Sequence, residues 1–289
     1  MRDIDDNMHC DPLPSLCLGP SVLKLWNLQT LIIKGHLVKI IAPSEIWEMP
    51  HIELELVCLP DPPTSEEACK RIPSISKLVI SYNGEATSTE CFQHNIGCFN
   101  KLDSLKCHFN LRQNWRDFAL SLGFPSSLRK LCLRNSCLRW GDLTTIGSLP
   151  NLEVLKLTDG YGAGEPEWTL EEGMFVRLKY LQIKYCGLVE WNAQSSHFPV
   201  LESLVLVGLS KLSEIPSGIG EIPTLRYIYL KHCSLSAAIS AVRIVEEQEE
   251  YGNEELRVEV DFWEQKESKK FREMMKDEGF TTNNLHLRN

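Results

Sequence analysis

Between Leu128 and Leu235 one short pattern, Leu-x-x-Leu/Ile-x-Leu/Ile, returns five times, as LRKLCL, LEVLKL, LKYLQI, LESLVL and LRYIYL. The first leucines are Leu128, Leu152, Leu178, Leu201 and Leu225, which stand 24, 26, 23 and 24 residues apart. Within each copy the alternation of apolar and other residues sends the leucines to one face of a strand. A strand with one apolar face is not stable alone. Copies stacked side by side in parallel bury those faces as one continuous core and pair each backbone with the next. The segment between two copies must then return to the start of the sheet and seal the core from behind.

A period of this length is that of a leucine-rich repeat. The predicted fold is therefore α/β: a leucine-rich-repeat solenoid, curved like a horseshoe, with a parallel concave sheet and a C-terminal capping helix and strand. Weaker copies precede the regular ones, through Leu28, Leu31 and Ile33, then His51–Leu56, then Ile75, Leu78 and Ile80, then Leu102, Leu105 and Cys107. About nine strand-bearing units result, two of them weak. Return segments run through Ile146 and Leu149-Pro150, and through Ile215-Pro216, Ile219 and Ile222-Pro223. Leu59-Pro60-Asp61-Pro62-Pro63 must leave its strand, because proline donates no ladder hydrogen bond. Thr64 or Ser65 is placed to cap a short helix.

The last repeat of such a stack needs a lid over its open core and strand edge. Ser236–Glu250 reads as an amphipathic helix with Ile239, Val242 and Val245 on one face and glutamates on the other. Leu256–Phe262 reads as a last alternating strand. Lys266–Lys276 is expected to form a helix that frays into a polar tail. The chain is thus divided into a truncated, partly disordered return side of a preceding repeat (1–24), leucine-rich repeats (25–235), a cap (236–262) and a charged tail (263–289).

Composition excludes several classes. No apolar run approaches the length of a membrane span, and the opening MRDIDDNMHC is too acidic to be a secretory signal. The 11 cysteines form an odd set without a C-x-x-C pair, and no Asn-x-Ser/Thr sequon occurs. Cys107, Cys132, Cys186 and Cys233 fall at or beside the repeat pattern, where a free thiol serves as a small apolar group. These features point to a reducing, cytoplasmic setting rather than an extracellular one. The net charge of −9 argues against nucleic acid as a partner.

Catalysis finds little support in the residues. Gly-Lys never occurs, so no phosphate-binding loop of the G-x-x-x-x-G-K type is present. The run Gly160–Gly164 reads as a turn. The histidines are scattered without zinc-ligand spacing, and His232-Cys233 sits where the repeat calls for a small apolar residue. No catalytic, cofactor or metal residue is assigned, and the chain is expected to be a binding module rather than an enzyme.

The informative residues lie between the leucines, since alternation aims them at the other face of the sheet. Lys106, His108, Arg129, Lys130, Arg134, Lys156, Lys179, Tyr180, Lys184, Arg226, Tyr227, Tyr229 and Lys231 make a basic, tyrosine-bearing face on an acidic chain. Tyrosine and arginine are favoured contact residues, and opposite charge speeds and selects a partner. The expected partner is an acidic protein surface, with Lys106 to Lys184 at its centre. The plainer alternative is that strand positions facing water are simply polar.

The wording around the repeats carries a resemblance. LWNLQTLII (25–33), PSEIWEMPHIELEL (43–56), LPDPP (59–63), FPSSLRKLCLRNSCLRWGDLTTIGSLPNLEVLKL (124–157), FPVLESLVLVGLSKLSEIPSGIGEIPTLRYIYLKHCSLSAAISA (198–241) and IVEEQEEYGN (244–253) resemble the intracellular plant immune receptors. More narrowly they resemble coiled-coil nucleotide-binding leucine-rich-repeat receptors of the late-blight-resistance type, over roughly residues 20–262. In that family a coiled-coil segment and a nucleotide-binding switch domain precede the repeats. The repeats hold the switch off and sense a pathogen effector or a guarded host protein, and release leads to oligomerisation and cell death. The resemblance therefore implies a ligand-sensing and autoinhibitory module whose partners are an effector or guarded host protein and the switch domain. ADP and ATP bind the full-length family in a domain absent here, so no cofactor is carried over. The chain is expected to be a fragment of a larger receptor or a truncated product. A free-standing adaptor, such as a ubiquitin-ligase substrate-binding subunit, is the alternative.

Overall fold

The computed structural model describes residues 15–17, 39–41, 53–57, 76–82, 96–109, 123–159 and 165–288. The expected strand around Leu28–Ile33, the exit at Leu59–Pro63, the helix from Thr64 or Ser65 and the glycine turn at 160–164 lie outside these residues. So does most of the expected return side at 1–24, of which Ser15–Cys17 is described.

Among the described residues ten strands form one parallel sheet. In chain order they are β3 (Glu53–Val57), β4 (Lys77–Tyr82), β5 (Ser104–Phe109), β6 (Lys130–Arg134), β7 (Val154–Thr158), β9 (Tyr180–Lys184), β11 (Ser203–Val207), β12 (Tyr227–Lys231), β13 (Arg257–Asp261) and β14 (Leu285–Arg288), and each pairs with the next. Two smaller parallel pairs lie apart from this sheet: β1 (Ser15–Cys17) with β2 (Lys39–Ile41), and β8 (Glu167–Thr169) with β10 (Glu190–Asn192). Short helices α1 (Leu143–Gly147) and α2 (Ser217–Gly220) lie on the return side, and α3 (Leu235–Glu250) and α4 (Gln265–Glu278) follow the regular repeats.

The leucine pattern sets the register. Leu105, Leu131, Leu155, Leu181, Leu204, Ile228 and Val258 face one another across successive strands, and Cys107, Leu133, Leu157, Ile183, Leu206, Leu230 and Val260 form the next row. Both rows are buried. A third buried row, Leu102, Leu128, Leu152, Leu178, Leu201 and Leu225, precedes the strands. The repeated backbone bonds explain why the stack is regular. The carbonyl after each of the first five of these leucines accepts two N–H groups from the following repeat, as Arg129 does from Glu153 and Val154, and Lys179 from Glu202 and Ser203.

β6, β7, β9, β11 and β12 are each followed by a left-handed residue: Asn135 (φ 57°), Asp159 (54°), Tyr185 (51°), Gly208 (70°) and His232 (51°). That conformation is costly for residues other than glycine. Here it turns each N–H toward the last carbonyl of the neighbouring strand. Asn135 donates to Thr158, Asp159 to Lys184, Tyr185 to Val207, Gly208 to Lys231 and His232 to Asp261, at 2.7–3.0 Å.

The return side is sealed by Ile146, Leu149, Ile215, Ile219 and Ile222, all buried as the pattern predicts. It also holds an aromatic ladder that the leucine spacing does not announce. Trp140, Trp168 and Trp191 stack at centroid distances of 5.1 and 5.5 Å, with Phe175 and Phe198 packed edge-on against Trp168. The parallel pair β8–β10 makes this possible, since it places Trp168 opposite Trp191.

The lid is larger than expected. α3 begins at Leu235, one residue before the predicted start, because the Ser234 hydroxyl accepts the Ala237 N–H at 3.0 Å. Ile239, Val242 and Val245 are buried as predicted, and the Ser240 hydroxyl accepts the Ile215 N–H at 2.8 Å. β13 covers Arg257–Asp261, inside the predicted strand. The predicted helix over Lys266–Lys276 lies within α4 (Gln265–Glu278), which is closed by left-handed Gly279, but the chain does not fray after it: Leu285–Arg288 extends the sheet as β14. The cause is apolar residues embedded in a charged composition. Phe271 is fully buried 5.1 Å from Phe262, and Met274, Met275, Phe280, Leu285 and Leu287 pack against the same core.

A charged and aromatic face on the parallel sheet

The face opposite the core is built by three outward positions per strand. In strand order the first column is Ser104, Lys130, Val154, Tyr180, Ser203, Tyr227 and Arg257. The middle column is Lys106, Cys132, Lys156, Gln182, Val205, Tyr229 and Glu259. The last column is His108, Arg134, Thr158, Lys184, Val207, Lys231 and Asp261. Ten of the thirteen residues expected at the site stand here: Lys106, His108, Lys130, Arg134, Lys156, Tyr180, Lys184, Tyr227, Tyr229 and Lys231.

The other three, Arg129, Lys179 and Arg226, stand at the rim just before their strands, in a row where charge alternates along the stack. Arg129 meets Asp103 at 3.4 Å on one side and Glu153 at 2.7 Å on the other, Lys179 meets Glu202 at 3.0 Å, and Arg226 meets Glu255 at 2.7 Å. The fork of Arg129 on Glu153 holds that carboxyl below the usual range. These cations are offset by their neighbours, so they stitch repeats together and add little positive potential.

On the face itself the positive charge concentrates in β5 to β9. Lys106, Lys156, Lys184 and Arg134 all act electrostatically on the Cys132 thiol at their centre. They occupy the middle, last, middle and last columns of four adjacent strands, a zigzag with one cation per strand. Arg134 touches Asp159 at 3.3 Å. Lys106, Lys130, Lys156 and Lys184 make no ion pair among the described residues, and Lys156 instead holds its ammonium 5.1 Å from the Tyr180 ring centre. Burial pushes the Cys132 thiol up despite the four cations, so it is no activated nucleophile. The same holds for Cys186 and Cys233, which burial pushes up to about 11.

The β12–β14 end differs in character. Tyr227 and Tyr229 stack at 6.4 Å, Lys231 pairs with Asp261 at 2.8 Å, and the Tyr229 hydroxyl donates to Asp261 at 3.4 Å. Arg288 on β14 pairs with Glu259 and lies 5.3 Å from the Tyr229 ring centre. Burial, joined by a hydrogen bond to Glu259, pushes the Tyr227 hydroxyl up to about 12. The sequence reading missed Glu259, Asp261 and Arg288. For Glu259 and Asp261 the signal was present in the alternation of RVEVD, whose outward residues continue the columns of Tyr229 and Lys231, whereas Arg288 reaches the face only through the pairing of β14 with β13. The face is therefore a basic field at its centre and a charge-balanced aromatic network at its C-terminal end.

Among the described residues no group of three or more His, Cys, Asp or Glu side chains is placed to hold a metal. No helix among them is long and apolar enough to cross a membrane. On the return side an open polar groove runs past Trp191, His197, Glu172 and Glu214. The arrangement on the sheet is suited to non-covalent recognition: cations and half-buried tyrosines set out in columns on hydrogen-bonded parallel strands.

No family model matches the chain. Relatives in the potato genus do. A late blight resistance protein homologue of Solanum demissum is 31% identical, covering 89% of this chain and 22% of that protein. A second homologue from the same species is 31% identical over 82% of this chain and 21% of its own length. The late blight resistance protein R1-A of Solanum demissum is 31% identical over 82% of this chain and 20% of its own length. The chain spans about a fifth of the length of these relatives.

Proposed function

The chain is a homologue of the late blight resistance proteins, a leucine-rich-repeat stretch matching about a fifth of their length, and from that kinship we propose that it serves plant disease resistance. In this reading it is the ligand-sensing and autoinhibitory module of an intracellular immune receptor, working in the cytoplasm through protein–protein contacts. It binds rather than catalyses and needs no cofactor of its own. Its partners are a pathogen effector or a guarded host protein, and the nucleotide-binding switch domain of the receptor. The observation that supports this best is the cation zigzag of Lys106, Arg134, Lys156 and Lys184 around Cys132. Three of its members lack carboxylate partners among the described residues, so the zigzag is free to meet an acidic surface.

The test is co-expression with the coiled-coil and nucleotide-binding domains of a related receptor. The chain is expected to associate in trans and to suppress their cell-death activity. The combined variant Arg134→Glu, Lys156→Glu and Lys184→Glu is expected to lose both effects with its melting temperature unchanged. Equal association and suppression by that variant would remove the basic face from the reading.

A further inference from the structure

On the return side the small sheet of β8 and β10 stops short. β10 pairs with β8 along one edge. Along the other, the next repeat begins the same ladder with the Ser213 N–H on the Val189 carbonyl at 2.8 Å, and then turns away. The Ile215 N–H goes instead to the Ser240 hydroxyl of α3, and Pro216 has no N–H to give. The two segments meet again where Gly218 comes so close to Gln194 that a Cβ on it would stand 2.8 Å from the Gln194 Cα. Between these points no strand lies beside the outer edge of β10 among the described residues. The open groove past Trp191 lies there, about 620 Å³ in volume, with Glu172, His197, Glu214 and Ser217 among its walls.

The walls have a sign. Glu172 and Glu214 are exposed, neither stands in an ion pair among the described residues, and no lysine or arginine lines the groove. Carboxylates at the rim of the large sheet are matched by cations from neighbouring repeats, as Glu153 and Glu202 are. Two unmatched carboxylates in one concavity are therefore a local excess of negative charge. His197 adds a donor. It is 9% exposed, and its Nδ1 accepts the Gln194 N–H at 2.9 Å. Accepting there leaves the ring proton on Nε2, which has no acceptor among the described residues. An extended protein segment with basic side chains answers each of these features: cations for the carboxylates, a carbonyl for His197, and a strand's own N–H and C=O groups for the open edge.

We propose that this groove is a second docking site, taking an extended, arginine- or lysine-bearing protein segment that adds as a strand to the outer edge of β10 while Glu172 and Glu214 meet its cations. The site is on the return side, so it goes beyond the reading of the basic sheet face and does not depend on it. The chain then has two surfaces of opposite preference, one for acidic and one for basic partners.

The experiment titrates the whole 289-residue chain into fluorescein-labelled peptides and follows anisotropy at physiological salt, where long-range attraction is screened. The peptides are a run of Arg-Thr pairs, a run of Glu-Thr pairs of the same length, and the Arg-Thr peptide N-methylated throughout. The Arg-Thr peptide is expected to bind, and the other two to bind about tenfold more weakly or less. Glu172→Lys with Glu214→Lys is expected to weaken the Arg-Thr peptide about tenfold. Glu247→Lys with Glu250→Lys makes the same change of charge on the exposed face of α3 and is expected to leave its affinity unchanged. Ser196→Trp fills the groove without altering charge and is expected to abolish binding. Thermal melts establish that each variant is folded, and the charge and filling variants act as independent checks should one fail to fold. The groove is not the site if the Arg-Thr peptide does not bind, if the α3 variant weakens it as much as the groove variant, or if binding survives in folded Ser196→Trp. Equal binding of the N-methylated peptide would overturn the strand addition. None of these outcomes bears on the basic sheet face.

Discussion

The ring of Tyr185 lies against the backbone of Gly208, one strand over, so that a methyl group on Gly208 would sit 2.4 Å from Tyr185 Cδ1. Gly208 also holds φ 70°, the left-handed turn that ends every regular strand here. Asn, Asp, Tyr and His bear that conformation in other repeats. Gly208 is the position where a neighbour's ring has taken the space. Gly208→Ala is therefore expected to lower stability by about 1–2 kcal/mol from backbone conformation alone, with a further loss from the contact. Denaturant unfolding of Gly208→Ala with and without Tyr185→Ala checks this. The second change should recover the contact part and leave the conformational part.

Trp168 is fully buried between Trp140 and Trp191. Trp168→Ala should cost about 3–5 kcal/mol, as emptying a large core position does. Because each repeat is held by its neighbours, the loss should also broaden the unfolding transition. Trp263→Ala is the comparison. That side chain is 75% exposed, and its removal should change stability by less than about 0.5 kcal/mol.

Phe271 joins α4 to the sheet through Phe262. Phe271→Ala should cost about 3–5 kcal/mol if the helix is an integral lid. Amide exchange in β13 should rise at the same time, since its edge would lose cover. A fraying tail would give neither effect, so exchange rates of Val258 and Val260 decide the matter.

Lys231 holds the Asp261 carboxyl below its ordinary value, first by their hydrogen bond and then by charge, with His232 and Tyr229 adding to it. A carboxylate whose folded pKa is depressed contributes stability that is full above its unfolded pKa and is lost as pH falls through the folded one. The contribution should thus be constant above about pH 5 and fade below about pH 4. Lys231→Met should be less stable than the parent at pH 7 and should show a shallower fall in melting temperature between pH 5 and pH 3. Parallel curves for the two proteins would exclude the pair as a contributor.

The regular repeats were legible because their leucines recur at a period that only a stacked parallel sheet satisfies. The two central rows, Leu131 to Ile228 and Leu133 to Leu230, are where alternation puts them. The outward columns were legible for the same reason, and ten of the thirteen site residues stand on the face. Their mutual arrangement was not. Sequence spacing says nothing of what lies one strand away. So Arg129, Lys179 and Arg226 read as free cations until Asp103, Glu153, Glu202 and Glu255 were found beside them. Likewise Glu259 and Asp261 read only as positions of a last alternating strand, and it is the sheet that carries them onto the face beside Tyr229 and Lys231.

Residues 265–288 show the limit most clearly. Their composition is that of a solvated tail, and Phe271, Leu285 and Leu287 are too few to make a repeat by pattern. They fold because α3 and β13 already present an apolar surface and an unpaired edge, so each of those few residues is buried on a core built by others. By itself the sequence determined the parallel stack, its inward rows and the outward position of its cations and tyrosines, because strand alternation is a local property. The neutralised rim, the tryptophan ladder and the length of the lid were decided only in the tertiary structure. Each depends on which residues the stack brings side by side from different repeats.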